Sequence, residues 1–139
     1  MKTFFDSSAF AKRYIKEEGS DEVDRICGDT SSLALSIICI PEIISALNRR
    51  VREKNITKKQ YSTAKSHFLL EINDSVIINL TPTIVSKSTV LLEKYVLRGM
   101  DALHVACAIE WESDLFVSSD TRQIEAAKLS GLKTYLITG

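Results

Sequence analysis

The sequence predicts an α/β fold with a mainly parallel sheet. Short apolar runs recur along the chain, and segments with helical apolar spacing separate them. Several of the short runs are apolar throughout, as strands buried on both faces of a parallel sheet must be.

Taken in order, the first run is Lys2–Phe5, with Asp6 directly after it. The segment Ser7–Glu17 places Phe10 and Tyr14 four apart and predicts a helix, and Asp21–Cys27 sets Val23 and Ile26 on one side of another. Leu33–Leu35 is the second strand, ended by Ser36. Pro41–Glu53 carries Ile44, Leu47 and Val51 at helical spacing. Thr57–Ile72 opens on a Thr able to cap it and continues through Tyr61, Ala64, Phe68 and Ile72. Val76–Leu80 is the third strand, stopped by Thr81 and Pro82, and helices are expected over Val85–Val96 and Met100–Glu112. Leu115–Val117 is the fourth strand, followed by Ser118, Ser119 and Asp120. Thr121–Ser130 is helical up to Gly131, a helix stop, and Thr134–Ile137 is the last strand.

Residues 1–139 have the length of one ordinary domain, and no repeat or Pro/Gly-rich linker divides them. Apolar residues make up 45% of the chain, enough for a folded core without disulfides. Lys and Arg number 18 and so do Asp and Glu, so any affinity for nucleic acid must come from a local basic surface. Cys27, Cys39 and Cys107 are odd in number, show no metal-ligand spacing and have apolar neighbours; they are expected to be buried free thiols in a reducing compartment. The opening MKTFFDSSAF lacks the long apolar stretch of a signal peptide. No run approaches the roughly 18 residues of a membrane span, so a cytoplasmic protein with no membrane contact is expected.

In parallel sheets, sites form at the carboxyl ends of the strands. Asp6 and Asp120 both sit just past a strand, and if those strands are neighbours their carboxylates face one crevice. Glu42 and Asp101 fall in or near the first turn of their helices. Each acid has a structural alternative: Asp6 and Asp120 can cap the helices that follow, and Glu42 and Asp101 can answer a helix dipole.

Four segments carry a family resemblance that spans nearly the whole chain. They are Phe4-Phe5-Asp6-Ser7-Ser8-Ala9, Pro41-Glu42-Ile43-Ile44-Ser45-Ala46-Leu47, Arg98-Gly99-Met100-Asp101-Ala102-Leu103-His104-Val105-Ala106, and Phe116-Val117-Ser118-Ser119-Asp120. In this order and spacing the chain resembles the PIN-domain nucleases, and specifically the VapC-like toxins. The resemblance implies a three-layer α/β/α sandwich around a five-stranded parallel sheet. It implies that Asp6, Glu42, Asp101 and Asp120 bind Mg²⁺ or Mn²⁺ and carry catalysis. Ser118 stands where a Thr is common, and Thr121, Arg122 and Gln123 occupy a stretch where some relatives have a further acid.

The chemistry is consistent with these residue types. A phosphodiester repels hydroxide, and a hard divalent cation offsets that by polarising the phosphoryl oxygen and acidifying a bound water. Such a cation takes oxygen ligands. Four crowded carboxylates are costly without one, because like charges resist ionisation.

Ser7 and Ser118 are candidates to orient ligands, or alternatively to cap helices. His104, in an apolar helix, is read as a hydrogen-bonded structural residue. The basic run Arg49, Arg50, Arg52, Lys54, Lys58, Lys59 and Lys65 is either a solvated helix–turn–helix tip or a phosphate-tracking edge. Lys12, Arg13 and Arg98 are expected nearer the site. Phe10, Tyr14, Ile43, Ile44 and Leu47 are either core or part of a groove for a partner helix.

The expected activity is therefore RNA cleavage by the toxin of a type II toxin–antitoxin pair. A cognate antitoxin and a second copy of the chain are the expected protein partners. The alternatives are an RNA-processing nuclease without an antitoxin and a non-catalytic α/β binding module with an acidic pocket. The last would want adjacent acids after the first strand, where this chain has Ser7 and Ser8.

Overall fold

The computed structural model describes residues 1–139. Five strands form one sheet: β1 (Lys2–Phe5), β2 (Ser32–Ser36), β3 (Val76–Ile78), β4 (Leu115–Ser118) and β5 (Thr134–Leu136). Every pairing is parallel and the spatial order is β3-β2-β1-β4-β5. The chain builds outward from β1 to β3 and then returns to lay β4 on the other side of β1. The order reverses between β1 and β4, and the crevice outside the carboxyl ends of two such strands is where α/β sheets hold their ligands.

Strand alternation divides the core in two. Phe5, Leu35 and Val117 point to one face, where they pack with Phe10, Val23, Ile43, Leu47 and Phe68. Phe4, Ala34 and Phe116 point to the other, against Ile84, Leu91, Val105, Ala106 and Ile124. The first face is covered by α1 (Ser7–Phe10), α2 (Ser20–Asp29), α3 (Cys39–Arg52) and α4 (Lys58–Asn73). The second is covered by α5 (Pro82–Lys94), α6 (Gly99–Glu110) and α7 (Thr121–Leu129). This is the α/β/α sandwich that the family resemblance implies.

Local chemistry sets the helix ends. Thr57 and Gln60 form a reciprocal capping box at α4. Thr81 caps α5 by accepting from Ile84 N, and Pro82 takes the first helical position, where its missing N–H costs nothing. For that reason α5 starts three residues before the expected Val85, and β3 stops at Ile78, short of Leu80. Gly19 precedes α2 at φ 93°, and a Cβ there would stand 2.6 Å from Ile137 Cγ2 and 2.7 Å from the Thr138 carbonyl oxygen. Only glycine fits that approach.

The expected helix over Ser7–Glu17 does not form as one piece. After α1 the chain tightens into a 3₁₀ turn at Ala11–Arg13. Beyond α1 the side chains bond away from the end of β1. Lys12, only 5% exposed, donates from Nζ to Glu17 Oε1 and to the Glu18 carbonyl, both at 2.9 Å. Arg13 Nε bonds both carboxylate oxygens of Glu71 at 2.8 Å, and the Tyr14 hydroxyl donates to Glu71 Oε1 at 2.6 Å. Burial opposes ionisation of Glu71, but these donors outweigh it and hold its carboxyl below the ordinary range. Lys12 and Arg13 are thus committed to holding the fold together and are absent from the acidic crevice described below, contrary to the sequence expectation.

Phe10, Ile43 and Leu47 are fully enclosed and are core, not partner surface. Cys39 and Cys107 are buried, Cys27 is half-buried, and all three are free thiols. Burial pushes the Cys27 thiol up to about 11 and Cys39 to about 12, so neither is a nucleophile at neutral pH. No helix is long and apolar enough to cross a membrane.

Phe10 stacks at a tilt on Phe5, meets Tyr14 edge-on and reaches Phe68, so it links β1, α1 and α4. Phe10→Ala is expected to destabilise the protein by about 3–5 kcal/mol through the cavity it leaves. Urea unfolding of both proteins measures this; a loss under about 1 kcal/mol would mean the surroundings close over the gap.

Candidate active site

Asp6 follows the central strand, and β4 lies beside that strand, with Asp6 N donating to the Val117 carbonyl at 3.1 Å. The Asp6 side chain caps α1 through Ala9 N at 3.0 Å. It also accepts from Ser8 Oγ at 2.9 and 2.7 Å and from Ser118 Oγ at 2.8 Å. Ser118 Oγ in turn accepts from Asp120 N at 2.9 Å, so the ends of β1 and β4 are tied through one hydroxyl. Burial raises the Asp6 carboxyl above its ordinary value; nearby His104 and the donors from Ser8, Ala9 and Ser118 pull against that rise.

Glu42 comes from the first turn of α3. Its Oε1 accepts from Ser7 Oγ at 2.6 Å and lies 2.6 Å from His104 Nε2. Burial again opposes ionisation, but here the His104 and Ser7 contacts win and lower the carboxyl. His104 is enclosed, as expected for a residue in an apolar helix, but the polar partner it finds is the candidate acid itself. Its Nδ1 is buried without a partner.

Asp101 stands in the first turn of α6, and Asp120 caps α7 by accepting from Arg122 N at 2.9 Å. Gln123 Nε2 lies 3.0 Å from Asp101 Oδ1 and 3.4 Å from Asp120 Oδ2. Burial and then repulsion from Asp120 raise the Asp101 carboxyl, with smaller upward pushes from Asp6 and Glu42.

All four acids therefore line one cavity of about 630 Å³, together with Ser7, Ser8, His104 and Gln123. Arg49, Arg98 and Arg122 also line it. All three are exposed, and none forms an ion pair. Of the basic run expected over Arg49–Lys65, only Arg49 belongs to this cavity. Arg50 and Lys59 face a separate groove of about 680 Å³ that contains none of the four acids. Helix capping and a place at the cavity coexist for Asp6 and Asp120, since each uses one oxygen on a backbone N–H.

The donor set fits a hard cation. It offers carboxylate oxygens on a polar wall, and the mutual repulsion around Asp101 is what a positive charge relieves. No three His, Cys, Asp or Glu side chains are close enough to ligate one ion directly.

Sequence reading passed over Ser8 and Gln123 as members of the site. A signal existed for both: Ser8 lies two residues from Asp6, within Asx-type reach, and Gln123 shares a helix face with Asp120 at i, i+3.

A raised carboxyl makes ionisation of Asp101 costly to the folded state. Stability from this group is present below the ordinary carboxylate range and is lost as pH rises through the raised value. In buffer free of divalent cations at pH 7, Asp101→Asn is expected to melt no lower than wild type and up to a few degrees higher. The gap should close as pH falls. A clearly lower melting temperature would show that the negative charge itself stabilises the fold.

Residues 3–129 match the PIN domain. Ribonuclease VapC45 of Mycobacterium tuberculosis is 27% identical over 106 residues, which are 76% of this chain and 74% of that protein. A toxin–antitoxin complex from Klebsiella pneumoniae contains a chain that superposes with a TM-score of 0.72 at 18% identity, covering 97% of this chain and 99% of that one. M. tuberculosis VapC20, a sarcin–ricin loop cleaving toxin, superposes with a TM-score of 0.68 at 15% identity over 94% of this chain and 95% of its own. The match covers Asp6, Glu42, Asp101 and Asp120 and stops short only of β5, and the chain belongs to the PIN-domain family.

Proposed function

We propose that this chain is a Mg²⁺- or Mn²⁺-dependent endoribonuclease that hydrolyses RNA phosphodiester bonds, acting as the toxin of a type II toxin–antitoxin pair. The observation that carries the reading is the meeting of four carboxylates from separate elements in one cavity lined also by three unpaired arginines.

A bound divalent cation would supply charge neutralisation of the scissile phosphate and an acidified water. Asp6, Glu42, Asp101 and Asp120 would hold it, directly or through the waters such a cation keeps. The protein's part is to fix those carboxylates. Ser8 and Ser118 hold Asp6, Ser7 and His104 hold Glu42, and backbone capping holds Asp120. Arg49, Arg98 and Arg122 suit the flanking phosphates, since a guanidinium pairs two oxygens at once. They provide locally the positive surface that the neutral overall charge withholds.

The antitoxin part of the reading draws on the ribonuclease and complex named above. An Arg or Lys from a partner would pair with the acids in the cavity and block phosphate entry. With Phe10, Ile43 and Leu47 in the core, a partner's apolar residues would have to use half-buried Tyr14 and Ile44. A homodimer belongs to the same reading, with exposed Val85, Leu92 and Met100 as the apolar surface beside the acids.

Asp6→Asn keeps the side chain's size and its role as an acceptor while removing a charge. It is expected to lower RNA cleavage at least about 100-fold, more than loss of a supporting contact does, with the fold intact by circular dichroism. Cleavage at the wild-type rate would overturn the assignment. Millimolar Mn²⁺ is expected to raise the wild-type melting temperature by selective binding to the folded state, and no shift would count against the cation. Coexpression with the product of a small adjacent gene is expected to give copurification and suppressed cleavage. If that product binds without inhibiting, or fails to bind, the toxin reading falls and the nuclease reading stands on the acids alone.

A further inference from the structure

We propose that Gln123 is a positioning residue that sets the spacing of Asp101 and Asp120 before a cation arrives, an inference that rests on the cation reading above. The starting point is a buried amide among apolar neighbours on its helix. Gln123 is 2% exposed, on a helix whose other buried residues are Ile124, Ala126 and Ala127. A buried amide costs the fold unless all its polar atoms are partnered, and here Oε1 has no partner. An apolar side chain of the same volume would fill the space with no unpaired acceptor, so stability alone does not account for a glutamine.

Its donors account for it. Nε2 reaches Asp101 Oδ1 at 3.0 Å and Asp120 Oδ2 at 3.4 Å. The first is the one hydrogen bond that the Asp101 side chain receives. The two acids come from the starts of different helices, α6 and α7, and they repel each other. An amide is suited to stand between them. Its N–H groups attract both carboxylates, and it adds no charge of its own. The orientation is unambiguous, because the reverse rotamer would aim the Oε1 lone pairs at two anions. A carboxylate at this position could not bridge, since it has nothing to donate when ionised. The amide therefore holds two ligands at one separation, as supporting hydrogen bonds to ligating carboxylates generally do.

The test uses the full chain and Mn²⁺ alone as the probe, with binding measured by calorimetry and by the loss of the free-Mn²⁺ electron paramagnetic resonance signal. Gln123→Met keeps the length and volume and removes both donors and the unpaired acceptor. It is expected to weaken Mn²⁺ binding about tenfold or more, with little change in the metal-free melting temperature. A residue that only fills space would show the opposite pattern: a lower melting temperature and unchanged Mn²⁺ affinity. Affinity within about twofold of wild type overturns the proposal, a change too small for a lost supporting contact. Should Gln123→Met fail to fold, Gln123→Ala is read by the same criterion, since Ala suits a helix interior. If wild type itself binds no Mn²⁺, the cation reading fails and this proposal with it. If wild type binds and the variants bind equally well, only the role of Gln123 fails.

Discussion

Asp6 is a carboxylate with 1% exposure at the end of the central strand, and a charge in that position persists only if donors surround it. Much of the architecture around it is the supply of those donors. The first turn of α1 offers Ala9 N and Ser8 Oγ, and β4 offers Ser118 Oγ. Ser118 can do so only because β4 lies parallel to β1 with Val117 opposite Phe5. The same hydroxyl accepts from Asp120 N and so sets where the second acid leaves its strand. The partnering of one buried anion thus fixes the relation between the two strand ends that carry the cavity.

The four acids are not equivalent, although they share one cavity. Glu42 has two strong partners in Ser7 and His104 and is held below its ordinary range. Asp101 has one amide donor and three carboxylates around it, and it is held above its range. Environments that push titratable groups apart are a mark of functional sites. The electrostatic tension is concentrated at Asp101, where α6 and α7 meet, and the unpaired Arg98 and Arg122 line the same cavity.

Nearness in sequence misled in one region. Lys12 and Arg13 follow Asp6 by one to two helical turns, which suggested that they share its crevice. The chain leaves α1 through a 3₁₀ turn, and this swings Lys12 toward Glu17 and Glu18 and Arg13 toward Glu71. Phe10, Ile43 and Leu47 show the same limit from the apolar side. Helical spacing marks a buried face, but the same spacing serves a core and a docking groove. The packing of α1, α3 and α4 on one sheet face decides for the core.

What the sequence determined by itself is whatever depends on a few consecutive residues. All five strands, the Thr57 cap, the stop at Gly131 and the position of Asp6 and Asp120 just past their strands are local, and each was legible from residue type and period. The four candidate acids came forward because each sits in a segment that resembles a PIN-domain motif, not because any one of them stands out alone. The tertiary structure alone decided the partners: that Ser7 and His104, 97 residues apart, meet at Glu42, that Gln123 spans Asp101 and Asp120, and that of seven basic residues in one run a single arginine lines the acids. The reason is physical. A strand or a cap forms from interactions within a few residues, whereas a hydrogen bond between distant side chains requires a strand order and a crossing of helices that no local pattern encodes.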